Sequence, residues 1–118
     1  MRIALATAAL MLVALPAQAD WTQIKSQNDL RAQVLDNRYV EPETKAWFTL
    51  KRDGTLTGSA RGQELTGTWR WKRGVVCYDR RLGGEDLPSN CIAIMVNGNE
   101  LVTIRDSGKG RQIRYDKQ

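Results

Sequence analysis

The residues best suited to chemistry are concentrated in one stretch, GTWRWKRGVVC, from Gly67 to Cys77. Two tryptophans alternate there with basic side chains, a mixture that is typical of surfaces that bind single-stranded nucleic acid. In a β-strand, however, successive side chains point to opposite faces, so Trp69 and Trp71 lie on one face and the cations on the other. We therefore expect these two rings to be core aromatics, together with Phe48, and we do not expect nucleic-acid binding.

The two cysteines, Cys77 and Cys91, are predicted to form one structural disulfide. A zinc site would need further soft ligands, and the sequence contains no histidine to supply them. A redox pair would need the two cysteines to be much closer in sequence. The bond would close a loop of about 15 residues, which the chain-entropy model values at about 3 kcal/mol of stability. We expect no metal site.

Few residues in this sequence could carry out catalysis or bind a cofactor. The absence of histidine excludes a Ser-His nucleophile pair, and acidic residues such as Glu41 and Glu43 lie in turns or beside prolines, where solvated carboxylates are common. The run GKGRQI, from Gly108 to Ile113, has part of the glycine spacing of a dinucleotide site. It is followed by a strand pattern instead of a helix that could hold a pyrophosphate. We expect no cofactor and do not favour an enzyme.

The segment RRLGGEDLPSN, residues 80–90, is the longest stretch without a clear pattern and ends beside Cys91. Binding surfaces favour such loops on rigid scaffolds, so it is a candidate partner-binding loop, although an ordinary solvated loop is the alternative. Its charged candidate contacts are Arg80, Arg81, Glu85 and Asp86.

One helix and a series of strands must position these residues. SQNDLRAQVLDN predicts a helix of about ten residues, with Ser26 as its N-cap and its end near Asn37. From Ala46 onward apolar residues alternate with polar ones, and the pairs Asp53-Gly54 and Asn97-Gly98 are typical of hairpin turns. Seven to eight strands joined by hairpins predict an antiparallel meander that forms a small barrel or a curved half-barrel.

The cysteines also predict a strand register. If Cys77 faces Cys91, then Val76 pairs with Ile92 and Val75 pairs with Ala93. Both faces of this hairpin are apolar, so both should be covered, and we expect the N-terminal helix to cover the face that carries the cysteines.

The first residues predict where the protein works. Residues 1–19 have a basic start, an apolar centre and a final A-x-A, which is typical of a signal peptide cleaved between Ala19 and Asp20. Residues 20–118 are expected to form a single β-rich domain without a transmembrane segment, in the periplasm or secreted. Without Arg2, the remaining 17 basic and 13 acidic residues give a charge of +4, which favours an acidic partner.

From Asp53 onward, DGTLTG, LTGTWRWKRGVVC, LGGEDLPSNC, VNGNEL and RDSGKG occur in an order that resembles small exported proteins of alphaproteobacteria. Many of these proteins carry the label dihydrodipicolinate reductase, which implies an NAD(P)H-dependent reductase activity. The resemblance implies no particular site residues. The sequence Gly67-Thr68-Trp69 is also similar to the G-x-W of lipocalin-like barrels, although there the motif opens the first strand and here it lies in mid-chain.

These observations favour a soluble periplasmic, non-enzymatic binding domain for a small ligand or an envelope partner. One alternative is an inhibitor or modulator of an envelope enzyme, and another is an enzyme, including the reductase that the resemblance implies. A deep pocket with convergent polar groups would favour a small ligand. A filled barrel with an exposed apolar patch would favour a protein partner, and two carboxylates facing each other in a cleft would favour an enzyme.

Overall fold

Ten strands and two short helices make up residues 20–118, the part of the chain described by the computed structural model. The predicted signal peptide, residues 1–19, lies outside the described residues. The first six elements are β1 (Thr22–Gln23), α1 (Gln27–Gln33), β2 (Tyr39–Val40), β3 (Trp47–Leu50), β4 (Thr55–Ala60) and β5 (Gln63–Lys72). The remaining six are β6 (Val75–Leu82), β7 (Glu85–Asp86), β8 (Asn90–Asn97), β9 (Glu100–Ile104), α2 (Arg105–Gly108) and β10 (Gln112–Lys117).

Eight of these strands close into an antiparallel barrel. Strands β2 to β6 pair in sequence order, β6 pairs with β8 across the short β7, and β8, β9 and β10 follow. The pairing of β10 with β2 closes the ring. The predicted meander is therefore a closed barrel and not a half-barrel, which leaves only the short β1 and β7 outside the ring.

Two glycines on adjacent strands allow the barrel wall to bend sharply. A Cβ atom on Gly58 would lie 2.2 Å from the carbonyl oxygen of Trp47, and one on Gly67 would lie 2.2 Å from that of Asp79. No other residue fits such an approach without a shift of the backbone, and glycine kinks of this kind are how barrels obtain their curvature. Because both positions lack a side chain, they also leave space inside the ring.

Helix α1 begins where the sequence predicts a helix, with the Ser26 hydroxyl accepting a hydrogen bond from the Asp29 amide at 3.1 Å. It is seven residues long, shorter than the ten expected. Leu30 and Val34 are fully buried in the core, and the amides at the two ends of this segment bond to β8 and β3. The segment therefore crosses one end of the barrel and plugs it; we refer to this as the lower end.

A disulfide joins Cys77 and Cys91, and Val76 pairs with Ile92 as the sequence predicts. The predicted pairing of Val75 with Ala93 is wrong, because the ladder between β6 and β8 ends at Val76 and the lower half of β8 pairs with β1.

The prediction that the N-terminal helix covers the cysteine face is also wrong. Helix α2 lies against β8, and a Cβ atom on Gly108 would be 3.3 Å from that of Ala93. The reason is that β1 delivers α1 to the lower end of the barrel, where Leu30 and Val34 reach the core.

Among residues 20–118, no helix is long and apolar enough to span a membrane. Nor do His, Cys, Asp or Glu side chains gather there in groups of three or more that could hold a metal ion.

Candidate ligand-binding cavity

The upper half of the barrel encloses a cavity of about 470 Å³. Four connections surround its opening: residues 41–46, 61–62, 83–89 and 105–111. The opposite end is filled by the plug of α1. A cavity of this size, open at one end of a barrel, is within the range that small-molecule sites occupy.

Most of the cavity wall is apolar. Every second side chain of each strand faces inward, so neighbouring strands line the cavity with parallel rows of side chains. Among the apolar lining residues are Phe48, Leu50, Leu56, Leu65, Leu82, Leu87, Ile92 and Ile113. This apolar wall can contact the hydrocarbon body of a ligand. Specificity must come from the few polar side chains among the lining residues.

Arg80 is the polar group that distinguishes this cavity. It lies on β6 on the same face as Val76 and Tyr78, which are buried in the core. Its guanidinium carbon lies 4.3 Å from the centroid of the Tyr78 ring. Its Nε is buried without a hydrogen-bond partner, the one such side-chain atom among the described residues. A buried charged donor left in this state is costly unless something else binds it.

Tyr115 contributes a phenol to the same cavity. Its ring meets Phe48 edge-on, with the centroids 4.9 Å apart. Burial raises the pKa of Tyr115, the Glu41 carboxylate adds to this rise, and Thr103 and Arg80 act in the opposite direction. The phenol is therefore neutral at ordinary pH and can donate a hydrogen bond into the cavity.

Three further arginines, Arg61, Arg105 and Arg111, line the opening. None of them has a carboxylate within salt-bridge distance among residues 20–118. With Arg80 they make four positive charges, and Glu41 is the one negative charge among the described lining residues. The cavity is therefore strongly cationic.

The turn that carries Arg105 is held to the barrel by Asn90. The Asn90 side-chain oxygen accepts hydrogen bonds from the amides of Cys91 at 2.7 Å and Asp106 at 3.1 Å. Asp106 and Ser107 have positive φ angles of 54° and 57°, which cost free energy for residues other than glycine. The contacts with Asn90 therefore hold a strained turn beside the opening.

The predicted partner-binding loop divides between the two faces of the barrel wall. Residues 80–90 are only partly irregular, because β6 continues to Leu82 and a Gly-Gly turn leads into β7, which leaves residues 87–89 without regular structure. Arg80 faces the cavity, whereas Arg81 faces outward and its Nε lies 2.9 Å from an Asp86 carboxylate oxygen. Glu85 is exposed. Of the four candidates, only Arg80 lines the cavity.

The predicted core aromatics lie on the inner face. Phe48 is buried, with 8% of its surface exposed, and Trp69 and Trp71 are half-buried against the core. The Trp69 ring nitrogen donates a hydrogen bond to the Lys51 carbonyl oxygen at 2.8 Å.

Sequence reasoning missed Arg105, Arg111 and Tyr115 as cavity residues. Strand alternation could have found them, since Arg105 is two residues from the buried Thr103, and Arg111 and Tyr115 are each two residues from Ile113. The GKG segment between the two arginines interrupts the alternation, so the pattern of either flank alone does not predict a common cavity.

No protein-family model matches this chain, nor does any curated protein or solved structure. An apolar chamber that contains one guanidinium with an unbonded Nε and has a cationic opening can hold an organic anion, with its carboxylate on an arginine and its hydrocarbon part on the wall.

Proposed function

We propose that this protein binds a small organic anion with an apolar body inside the barrel, and that it does so without catalysis. The observation that carries the proposal is the Arg80 guanidinium, which faces the cavity with a buried and unbonded Nε. A carboxylate is the natural partner, because its two oxygens match the parallel donors of a guanidinium.

The apolar wall supports a ligand that is more than a simple ion. An inorganic anion would leave the leucine, isoleucine and aromatic side chains of the chamber facing water. A hydrocarbon or aromatic body would instead cover them, and each Å² of apolar surface removed from water contributes about 25 cal/mol. An amphipathic carboxylate satisfies both the arginine and the wall.

We also propose that binding takes place in the periplasm or outside the cell. The disulfide between Cys77 and Cys91 is compatible with such an oxidising compartment. The signal peptide on which this placement rests remains a sequence-based prediction.

Calorimetric titration with octanoate, and with 1-octanol as the uncharged control, tests the proposal. We expect octanoate to bind with one-to-one stoichiometry and octanol to bind at least tenfold more weakly, because only the carboxylate offers Arg80 a negative charge and two acceptor oxygens. Hydrogen bonds to charged groups contribute about 1.5–3 kcal/mol, which corresponds to roughly 10- to 150-fold in affinity.

Arg80→Met and Arg81→Met form a matched pair of variants on one strand. We expect Arg80→Met to weaken octanoate binding at least tenfold without lowering the free energy of unfolding, since it replaces an unsatisfied buried donor with an apolar chain. Arg81→Met should leave binding unchanged, because Arg81 faces outward and pairs with Asp86.

Two results would contradict the proposal. Equal affinity for octanoate and octanol would mean that the arginine does not select the ligand. Unchanged octanoate binding by a folded Arg80→Met protein would place the ligand elsewhere. Thermal stabilisation by NADPH alone would instead support the reductase activity that the sequence resemblance implies.

A further inference from the structure

The upper part of β10 has a free edge. Strand β10 pairs with β9 from Gln112 to Asp116, but on its other side β2 pairs only with the last two residues of the strand. The Arg105 amide donates a hydrogen bond to the Arg111 carbonyl oxygen at 3.0 Å. Because backbone groups alternate in direction along a strand, the odd-numbered residues of β10 face β9. The backbone groups of Gln112 and Arg114 therefore point to the other side, above the end of β2.

A proline ends the pairing between β10 and β2. In the observed register Val40 lies opposite Asp116, so Pro42 would lie opposite Arg114. Pro42 has no N–H to donate to the Arg114 carbonyl oxygen, and a turn follows Val40 instead of further strand. In the described part of the chain, the Gln112 and Arg114 backbones consequently have no backbone partner on this side. An edge of this kind is a template for pairing with another chain.

A surface groove of about 420 Å³ lies along this free edge. One side of the groove is β10 from Arg111 to Arg114, and the other side is the start of the turn, which comprises Glu41, Pro42 and Glu43. Since the turn occupies the far side of the groove, a single extended chain fits the edge better than the wall of a second barrel.

The groove meets the barrel cavity, because Glu41, Arg111 and Ile113 line both. Side chains that lie opposite each other in paired strands share one face of the sheet. A residue of an added strand beside Ile113 would therefore face the apolar cavity. Its neighbours beside Gln112 and Arg114 would face solvent, as those two exposed side chains do. The edge thus favours a segment in which polar and apolar residues alternate.

The lower limit of the free edge is closed, because β2 occupies the place beside Asp116. A strand added above this point cannot continue straight past it, so a chain end fits best there. Glu41 directly follows β2, and no cation lies within 4.0 Å of the Glu41 or Glu43 carboxylate among residues 20–118. Glu41 accepts a hydrogen bond from the uncharged Thr44 hydroxyl at 2.8 Å. Two carboxylates attract an α-amino group and repel an α-carboxylate.

We propose that this groove binds the N-terminal segment of another polypeptide, which adds to β10 as an antiparallel strand. Its α-amino group donates a hydrogen bond to the Arg114 carbonyl oxygen, in place of the N–H that Pro42 lacks. Glu41 and Glu43 balance the positive charge. The second residue places an apolar side chain beside Ile113. This interaction surface goes beyond the proposed function, since main-chain pairing and not the arginines of the cavity holds the segment.

Hydrogen exchange measured by NMR tests the free edge and its occupation. In the unbound protein the Gln112 and Arg114 amides should exchange rapidly, whereas the Ile113 and Tyr115 amides, which face β9, should be protected. A saturating concentration of the peptide amide Thr-Val-Thr-Val-Thr, with a free α-amino group, should slow exchange at Gln112 and Arg114 at least fivefold. Protection of both amides without peptide would mean that the edge is not free, and would overturn the proposal.

Acetylation of the same peptide tests the preference for a charged chain end. The acetylated peptide should bind at least tenfold more weakly, because acetylation removes the positive charge. In the double variant Glu41→Gln/Glu43→Gln this difference should disappear. Glu85→Gln is the control, because Glu85 is an exposed acid on β7 that does not line the groove, and this variant should keep the full difference.

Arg114→Pro and Arg114→Ala form a matched pair that tests main-chain pairing. Both lose the ion pairs with Glu100 and Asp116, so they differ in the N–H that faces the groove. Proline is tolerated on edge strands where the N–H does not join the ladder. We expect Arg114→Pro to bind the peptide at least tenfold more weakly than Arg114→Ala. Protection of the Ile113 and Tyr115 amides shows that the proline variant is folded.

Three results would overturn this inference. Equal binding of the free and acetylated peptides would exclude recognition of a charged amino terminus. Full peptide binding by a folded Arg114→Pro protein would exclude pairing with β10. A dimer that protects the Gln112 and Arg114 amides as the protein concentration rises would assign the edge to a second copy of this chain. If Arg114→Pro does not fold, the acetylated peptide decides the question, and the octanoate titrations bear only on the proposed function.

Discussion

At the scale of single residues, the unusual feature is where the positive charge lies. Arg80 is half-buried and places its guanidinium on the Tyr78 ring in an apolar chamber, where its Nε has no hydrogen-bond partner among residues 20–118. Arg81, the next residue, faces outward and has the surface ion pair that such residues commonly make. The contrast between two adjacent arginines is the reason to treat one as a binding residue and the other as an ordinary surface residue.

Tyr115 predicts a specific loss of stability in alkali. Burial raises its folded-state pKa above 10.0, so its contribution to stability is complete below pH 10 and is lost as the pH rises through the folded pKa. In that window each such phenol lowers the free energy of unfolding by up to about 1.4 kcal/mol per pH unit. Tyr115→Phe should flatten this decline, as measured by urea unfolding at successive pH values.

Tyr39 provides the comparison for this experiment. Burial also raises its pKa, and it lies at the plugged end of the barrel, where its hydroxyl donates a hydrogen bond to the Gln33 carbonyl oxygen at 3.2 Å. Tyr39→Phe should therefore flatten the alkaline decline without any effect on octanoate binding. An alkaline decline that is identical in the native protein and in Tyr115→Phe would show that the Tyr115 phenol is not protected.

At the scale of elements, the alternation along β5 decides what the tryptophan-rich stretch does. Leu65, Gly67, Trp69 and Trp71 face the barrel interior, and the residues between them are exposed. The apparent mixture of rings and cations is therefore split between the two faces of the strand. The same alternation puts Gly67 opposite Arg80 in the next strand, so that the guanidinium has room.

Gly67→Ala tests this account of β5. The added methyl group would lie 2.2 Å from the Asp79 carbonyl oxygen, so the ladder between β5 and β6 must shift. We expect a loss of about 2–4 kcal/mol in the free energy of unfolding, measured by chemical denaturation. Thr66→Ala, on the exposed face of the same strand, should cost less than about 1 kcal/mol.

If Gly67→Ala and Thr66→Ala lowered the free energy of unfolding equally, the strand would be able to adapt, and the close approach of the two backbones at Gly67 would not require glycine.

At the scale of the whole molecule, the barrel closes through two pairings of different character. The pairing of β10 with β2 joins the two ends of the described barrel. The pairing of β6 with β8 is short and is fastened by the disulfide, because below it the edge of β8 pairs with β1. The disulfide thus secures a short ladder beside the cavity.

Replacement of both cysteines by alanine should lower the free energy of unfolding by about 3 kcal/mol, since the bond spans 14 residues of chain. Denaturant unfolding of the double variant measures this loss, and reduction of the native protein with a thiol provides an independent comparison. A loss below about 1 kcal/mol would mean that the unfolded chain already keeps these strands together.

The sequence by itself determined the local features of this protein. Alternation identified the strands and the inner face of β5, Asp53-Gly54 marked a hairpin, and the cysteines predicted a disulfide and the pairing of Val76 with Ile92 beside it. The strands and the turn are set by residues adjacent in the chain, and the disulfide is set by one pair of cysteines. Such local features were insufficient for residues 80–90, where the sequence shows no clear pattern, because pairing with β5 extends β6 to Leu82.

Only the tertiary structure decided that the ring closes, that α1 plugs its lower end, and that α2 packs against β8. It also decided that Arg80, Arg105 and Arg111, which are dispersed along the sequence, face one chamber. Each of these facts depends on contacts between residues far apart in the chain, and whether an arginine faces solvent or a cavity depends on what lies across the barrel from it. The sequence therefore determined the strands, and their closure into a ring created the cavity.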